Sequence, residues 1–93
     1  MHIRLKSFGP LRRLMSGGET TLELPDISTI HTVIEVIVRK WGSEAENLIM
    51  ENGQISGNLI IMLNMKDIST LDGLNTTIEP NDEIIILPHV QGG

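Results

Sequence analysis

Ninety-three residues with 40% apolar side chains make one domain, and a chain of this size buries about 60–65% of its unfolded surface. The absence of cysteine excludes disulfides, thiolate metal sites and a cysteine nucleophile together, and no apolar run approaches a transmembrane length. The formal charge is −5; residues 1–13 carry Arg4, Lys6, Arg12 and Arg13 and no acid, whereas in residues 43–93 Lys66 faces eight acids, a local −7. Phosphate backbones need neutralising by Lys and Arg, so nucleic acid is not an expected partner. An acidic half suits a basic groove on a protein partner, and equally a solvated face. Met1–Lys6 alternates polar and apolar, unlike a signal peptide. A cytoplasmic protein with no membrane partner is expected.

The first strand is predicted over Met1–Phe8, with Ile3, Leu5 and Ser7 on one face and Arg4, Lys6 and Phe8 on the other. Gly9-Pro10 breaks it, Leu11–Met15 offers a short apolar turn, and Ser16-Gly17-Gly18 connects onward. Thr20–Leu24 alternates again and pairs with the first strand as a wide hairpin, ended by Pro25-Asp26. Ile30, Val33, Ile34, Ile37, Val38 and Trp41 then mark one stripe of an amphipathic helix. Ser28 or Thr29 caps it, Arg39 and Lys40 suit its C-terminal end, and Gly42 stops it. Its β-branched residues are mediocre helix formers, so packing on a sheet must hold it.

Ser43–Met50 reads as a second, shorter helix. After turn signals at Asn52-Gly53 and Ser56-Gly57, the run Leu59–Leu63 reads as a buried strand. Asn64–Asp67 turns the chain, Ile68–Leu71 is expected as a short edge strand, and Ile84–Leu87 is the last strand. Lacking alternation, that last strand should sit centrally, beside the first. With one long helix for one sheet face, two readings of the other face stand open. It is an exposed partner surface, or Leu11, Leu14, Met15 and residues 43–50 cover it.

Six residues follow this strand in the sequence, ending in Gly92-Gly93. A glycine pair is an ordinary feature of a loose end. It is also the thinnest possible probe, since glycine has no Cβ, and five extended residues from Pro88 reach about 17 Å. Other residues offer little chemistry. His2, His31 and His89 lack metal-ligand spacing. Gly17-Gly18 lacks a phosphate-loop context. No acid pair forms an acid–base couple. Trp41 and the five methionines read as packing residues.

The strand order, Phe8-Gly9-Pro10-Leu11-Arg12, Leu71-Asp72-Gly73-Leu74, Asp82-Glu83 and the ending Leu87-Pro88-His89-Val90-Gln91-Gly92-Gly93 together resemble the MoaD/ThiS family of ubiquitin-like sulfur carriers. Within it, the molybdopterin-synthase small subunits are the nearer branch, because residues 42–57 are longer and more polar than the shortest thiamin-pathway carriers allow. The family commonly has a second proline where His89 stands. The resemblance implies an α+β fold of the β-grasp (ubiquitin-like) type, with a mixed four- to five-stranded sheet and one main helix on one face. Residues 1–88 would form the domain and 89–93 an extended tail. It implies a non-catalytic subunit with no bound cofactor or metal. An ATP-using, ubiquitin-activating-type adenylyltransferase would adenylate Gly93, a sulfur donor would convert it to a thiocarboxylate, and the large subunit of molybdopterin synthase would receive the sulfur. Gly92, Gln91, Val90, His89 and Pro88 would line the partner's channel. Phe8, Leu11, Arg12, Leu59, Ile61 and Ile85 are the expected partner surface. A modifier joined to lysines through Gly93, a ThiS-type carrier and an interaction module without terminal chemistry remain alternatives.

Overall fold

The computed structural model describes residues 1–89. Strand β1 (His2–Ser7) buries Ile3, Leu5 and Ser7 and turns Arg4 and Lys6 outward, as its alternation requires. Pro10 opens a short helix, α1 (Pro10–Leu14), where its missing N–H costs nothing. Strand β2 (Glu19–Glu23) returns antiparallel to β1, Leu22 opposite Ile3. A short strand β3 (Ser28–Thr29) leads into helix α2 (Ile30–Trp41).

Thr29 rather than Ser28 sits at the N-cap. Its N–H donates to Thr32 Oγ1 at 3.1 Å, while the Ser28 hydroxyl donates back to the Pro25 carbonyl at 2.7 Å. Of the predicted stripe, Ile30, Val33, Ile34 and Ile37 are buried, and Val38 and Trp41 flank the core half-buried. Gly42, at φ 81°, ends α2 and starts α3 (Ser43–Ile49), the second helix. A tiny hairpin follows, β4 (Met50–Glu51) with β5 (Gln54–Ile55). Asn52 and Gly53 both have positive φ, as a two-residue turn of this hand demands.

Strand β6 (Leu59–Leu63) buries only Ile61 and Leu63; Leu59, Ile60 and Met62 are half-buried, so the apolar run is not buried throughout. A second left-handed pair, Asn64 and Met65, turns the chain into β7 (Lys66–Asp67). The expected edge strand at Ile68–Leu71 is instead a 3-10 turn over Ile68–Thr70. Asp67 Oδ1 accepts the Ser69 N–H at 2.9 Å, and the Thr70 hydroxyl donates to the Asp67 carbonyl at 2.7 Å. These local bonds outcompete the ladder. A further short strand, β8 (Thr77–Ile78), pairs antiparallel with β3. It anchors the N-terminus of α2, whose Ile30 N–H donates to the Thr76 carbonyl at 3.0 Å.

The last strand, β9 (Glu83–Pro88), runs parallel to β1 and antiparallel to β6, in a five-stranded sheet of order β2-β1-β9-β6-β7. This is the central position expected from its sequence. Ile84 and Ile86 face α2 and the core with no exposed surface. Leu11, Met15, Ala45 and Ile49 belong to that same core, so all three helices lie on one side of the sheet. Among the described residues, no helix covers the other face. It carries Ile60, Met62, Ile85 and Leu87 half-buried, beside Arg4 and Lys6, which lie 3.7 and 3.4 Å from Glu83.

Truncating a side chain at the sheet centre leaves a cavity that the paired strands cannot close. Ile84→Ala is expected to lower the unfolding free energy by about 2–5 kcal/mol at an unchanged urea m-value. A loss well below that range would mean β9 is not central.

Candidate functional site

β9 delivers its C-terminal end to one pole of the molecule, and three contacts fix where the chain leaves the body. The Phe8 N–H donates to the Ile86 carbonyl at 3.0 Å, extending the β1–β9 ladder. The His89 N–H donates to the Asn58 carbonyl at 2.7 Å, extending the ladder with β6. Between them Gly9, at φ +67°, lies against the Pro88 ring; a Cβ at position 9 would stand 2.5 Å from Pro88 Cγ. That distance is an overlap, and the left-handed φ is itself costly for any other residue, so glycine is required here. His89 is exposed. Val90, Gln91, Gly92 and Gly93, the expected reactive tail, lie outside the described residues.

The pole is built from loops tied down by short bonds. Ser56 N–H donates to the Ile49 carbonyl at 2.7 Å, Leu59 N–H to the Ser56 carbonyl at 3.1 Å, and Asn58 N–H to Ser56 Oγ at 3.2 Å. The ridge Ser56–Leu59 separates two apolar grooves. One, of about 280 Å³, has Phe8, Pro10, Leu48, Leu59 and Pro88 in its walls. The other, of about 300 Å³, is lined by Ile55, Leu59, Ile60, Ile68, Asp67 and His89.

The expected partner surface divides on this geometry. Phe8 is 43% exposed, and Arg12 is exposed beside it. Leu59 stands half-buried between the grooves, and Ile85 lies on the uncovered sheet face. Leu11 and Ile61 are corrections. They are 2% and 3% exposed, because α1 turns Leu11 inward under the loop and the alternation of β6 turns Ile61 onto the helix side. Sequence reading missed Gly9, whose contact with Pro88 joins positions far apart in the chain, and the Ser56–Leu59 ridge. Gly9 was signalled as a strand breaker and as part of the Phe8–Arg12 motif, without a role in holding Pro88.

Other residues hold ordinary places. His31 Nδ1 sits 3.1 Å from Glu35 Oε1 on an exposed helix face, and Lys40 Nζ lies 5.0 Å from the Trp41 ring centre, both packing features of the helix. No described helix is long and apolar enough to cross a membrane.

The ThiS family model matches residues 5–93. The chain belongs to the ThiS family. Small archaeal modifier protein 3 of Haloferax volcanii is 24% identical over 93 residues, covering the whole of both chains. An Archaeoglobus fulgidus protein, provisionally named a sulfur carrier protein, is 28% identical over 65 residues, 70% of this chain and 74% of its own. The solution structure of small archaeal modifier protein 1 from Methanosarcina acetivorans superposes with a TM-score of 0.82, at 28% identity over 99% of this chain and 96% of that one. The fold is thus a ubiquitin-like β-grasp, as expected. Proteins of the MoaD/ThiS group are small carriers or modifiers and not catalysts themselves.

The Gly9–Pro88 contact yields a direct test. Gly9→Val should preserve the helical circular dichroism, move the Leu59 and His89 amide resonances, and cost about 1–3 kcal/mol of stability. Unmoved resonances at those two positions would show that Gly9 does not hold the exit of β9.

Proposed function

We propose that this protein is a sulfur carrier whose Gly93 carboxyl is the reacting group, acting as the small subunit of a molybdopterin synthase in the cytoplasm. The observation that carries the reading is the combination of a rigid exit and a thin end. Pro88 packs against Gly9, His89 is bonded to Asn58, and Val90-Gln91-Gly92-Gly93 come next in the sequence. A chain terminus of this form is suited to enter a narrow channel, because Gly92 and Gly93 carry no side chains.

The chemistry follows from the carboxylate. With an ordinary pKa of about 3.5 it is ionised at neutral pH and a poor electrophile, since attack would add charge to charge. A partner adenylyltransferase converts it to an acyl-adenylate by attack of the carboxylate oxygen on the α-phosphorus of ATP, releasing pyrophosphate. The terminal sulfur of a persulfide donor then attacks the acyl carbon and expels AMP, forming an acyl disulfide, and a partner's thiol attacks the donor sulfur of that S–S bond, leaving a thiocarboxylate on Gly93 and a disulfide between the two thiols. The thiocarboxylate sulfur, a soft nucleophile, is delivered to a pterin precursor in the large subunit, and water restores the carboxylate. ATP and the acceptor bind to the partners. This chain supplies the acyl group, the aim of the tail and a docking body.

A second reading has specific support. Two relatives are named small archaeal modifier proteins, and one of them matches this chain from end to end. In that reading the same acyl-adenylate is attacked by a lysine amine on another protein, forming an amide.

Deletion of Gly93 is expected to abolish adenylation-dependent sulfur transfer and leave the melting temperature unchanged. A truncated chain that still supports transfer would end the proposal. Gly92→Val should slow acyl-adenylate formation by about tenfold or more, equivalent to about 1.4 kcal/mol of steric cost in the channel; a normal rate would remove the narrow-channel argument. Covalent ladders on a denaturing gel that vanish with Gly93 would favour the modifier reading over the carrier one.

A further inference from the structure

Two hairpins of this chain close through two-residue turns, and the turns are built differently. Asn52-Gly53 joins β4 to β5 with φ of 53° and 78°. Asn64-Met65 joins β6 to β7 with φ of 49° and 71°. Both turns need two left-handed residues, and glycine takes the second place without steric cost. The β6–β7 turn puts a methionine there instead. A local rule obeyed in one turn and broken in its match marks the Met65 side chain as kept for a role of its own.

That role is sought in the sulfur. The sequence has no cysteine, so its five methionine thioethers are its only sulfur atoms. Met65 alone among them is exposed, at 67%, while Met1, Met50 and Met62 are half-buried. Met15 is 3% exposed, and its Sδ accepts a hydrogen bond from the Ser7 hydroxyl at 3.1 Å inside the core. The neighbouring Asn64 side chain is already committed. Its Nδ2 donates to Asp82 Oδ1 and its Oδ1 accepts the Glu83 N–H, both at 2.9 Å. With the Asn64 N–H donating to the Glu83 carbonyl at 2.9 Å, these bonds clamp the turn without using Met65. The turn lies at the end of β9 opposite the tail, since Leu63 pairs with Ile84 and Leu59 with Pro88.

We propose that Met65 is a reversible oxidation site that takes one oxygen atom from a peroxide. The thioether sulfur attacks one peroxide oxygen. The S–O bond forms, the O–O bond breaks, and the second oxygen takes the proton of the first and leaves as water. Sulfur loses two electrons and the peroxide gains them. The product is a polar sulfoxide on a turn that the Asn64 bonds hold without the Met65 side chain, so the fold persists. The same oxygen on Met15 would replace the Ser7 bond with a polar group in the core. A thiol-dependent sulfoxide reductase reverses the change, as two thiols become a disulfide and the oxygen leaves as water. The modified turn and the exit of the tail are at opposite ends of β9, so oxidation at Met65 leaves the tail pole as it was. The inference uses no property of the tail and stands or falls apart from the proposed function.

The test treats the folded full chain with dilute hydrogen peroxide and follows each methionine by peptide mass. Met65 is expected to gain one oxygen about threefold or more faster than Met1, Met50 or Met62, with Met15 slowest, because access to the sulfur sets the rate. In concentrated urea the five rates should converge. Met65→Leu should remove the fast phase and leave the other four rates unchanged. The singly oxidised chain should keep its melting temperature and move amide resonances only from Leu63 to Asp67 and at Asp82 and Glu83. Methionine sulfoxide reductases of both stereospecificities, supplied with dithiothreitol, should restore the original mass. Another methionine oxidised first, equal rates in the folded chain, a lower melting temperature after one oxygen, or a folded sulfoxide that the reductases leave untouched would each overturn the proposal.

Discussion

The ladders on both sides of β9 decide what this molecule can do. Parallel pairing with β1 and antiparallel pairing with β6 place Ile84 and Ile86 at the floor of the core and leave the strand no freedom to slip, since a one-residue slip would turn both outward. The same ladders run on past the strand, through Phe8–Ile86 and His89–Asn58, so the backbone is held in place as far as His89. Helix α2 follows from this arrangement. Its stripe of Ile30, Val33, Ile34 and Ile37 is rich in β-branched residues with modest helix preference, and the sheet beneath β9 and β1 is what makes it stable.

Much of this was legible in the sequence, wherever period and burial coincide. Alternation in Met1–Phe8 and Thr20–Leu24 marked the outer hairpin, the 3.6-residue stripe marked α2, and the unbroken Ile84–Leu87 marked a central strand. The short second helix was also visible. What escaped was set by contacts between distant residues or by two-residue elements too brief to show a period. Ile68–Leu71 has the composition of a strand, yet Asp67 captures the Ser69 amide and ends the ladder. The β3–β8 pair is two residues long on each side. Leu11 and Ile61 look like surface candidates when read from neighbouring motifs, but the turn of α1 and the parity of β6 bury them. Gly9 matters because Pro88 lies against it, a contact that no local pattern announces.

With all three helices on one side, the opposite face and the tail pole are left for partners. The face combines a charged half, where Arg4 and Lys6 meet Glu83, with an apolar half of Ile60, Met62, Ile85 and Leu87. Exposed ion pairs of this kind add little stability and can be exchanged for a partner's charges at small cost. In the proposed function, apolar surface around the end of β9 gives the partner adenylyltransferase something to grip other than the reacting group. That division of labour suits a ThiS-family carrier, in which a stable body presents a terminus for others to modify.

The central claim is that chemistry resides at the carboxyl of Gly93. It is tested most directly by the intact mass of the full chain purified from its own cells without reducing or alkylating treatment. The account predicts a fraction heavier by one oxygen-to-sulfur exchange, with fragmentation placing the added mass on the last residue. A population carrying only an unmodified carboxylate under conditions that demand sulfur transfer, or a chain that continues past Gly93 without processing, would contradict it.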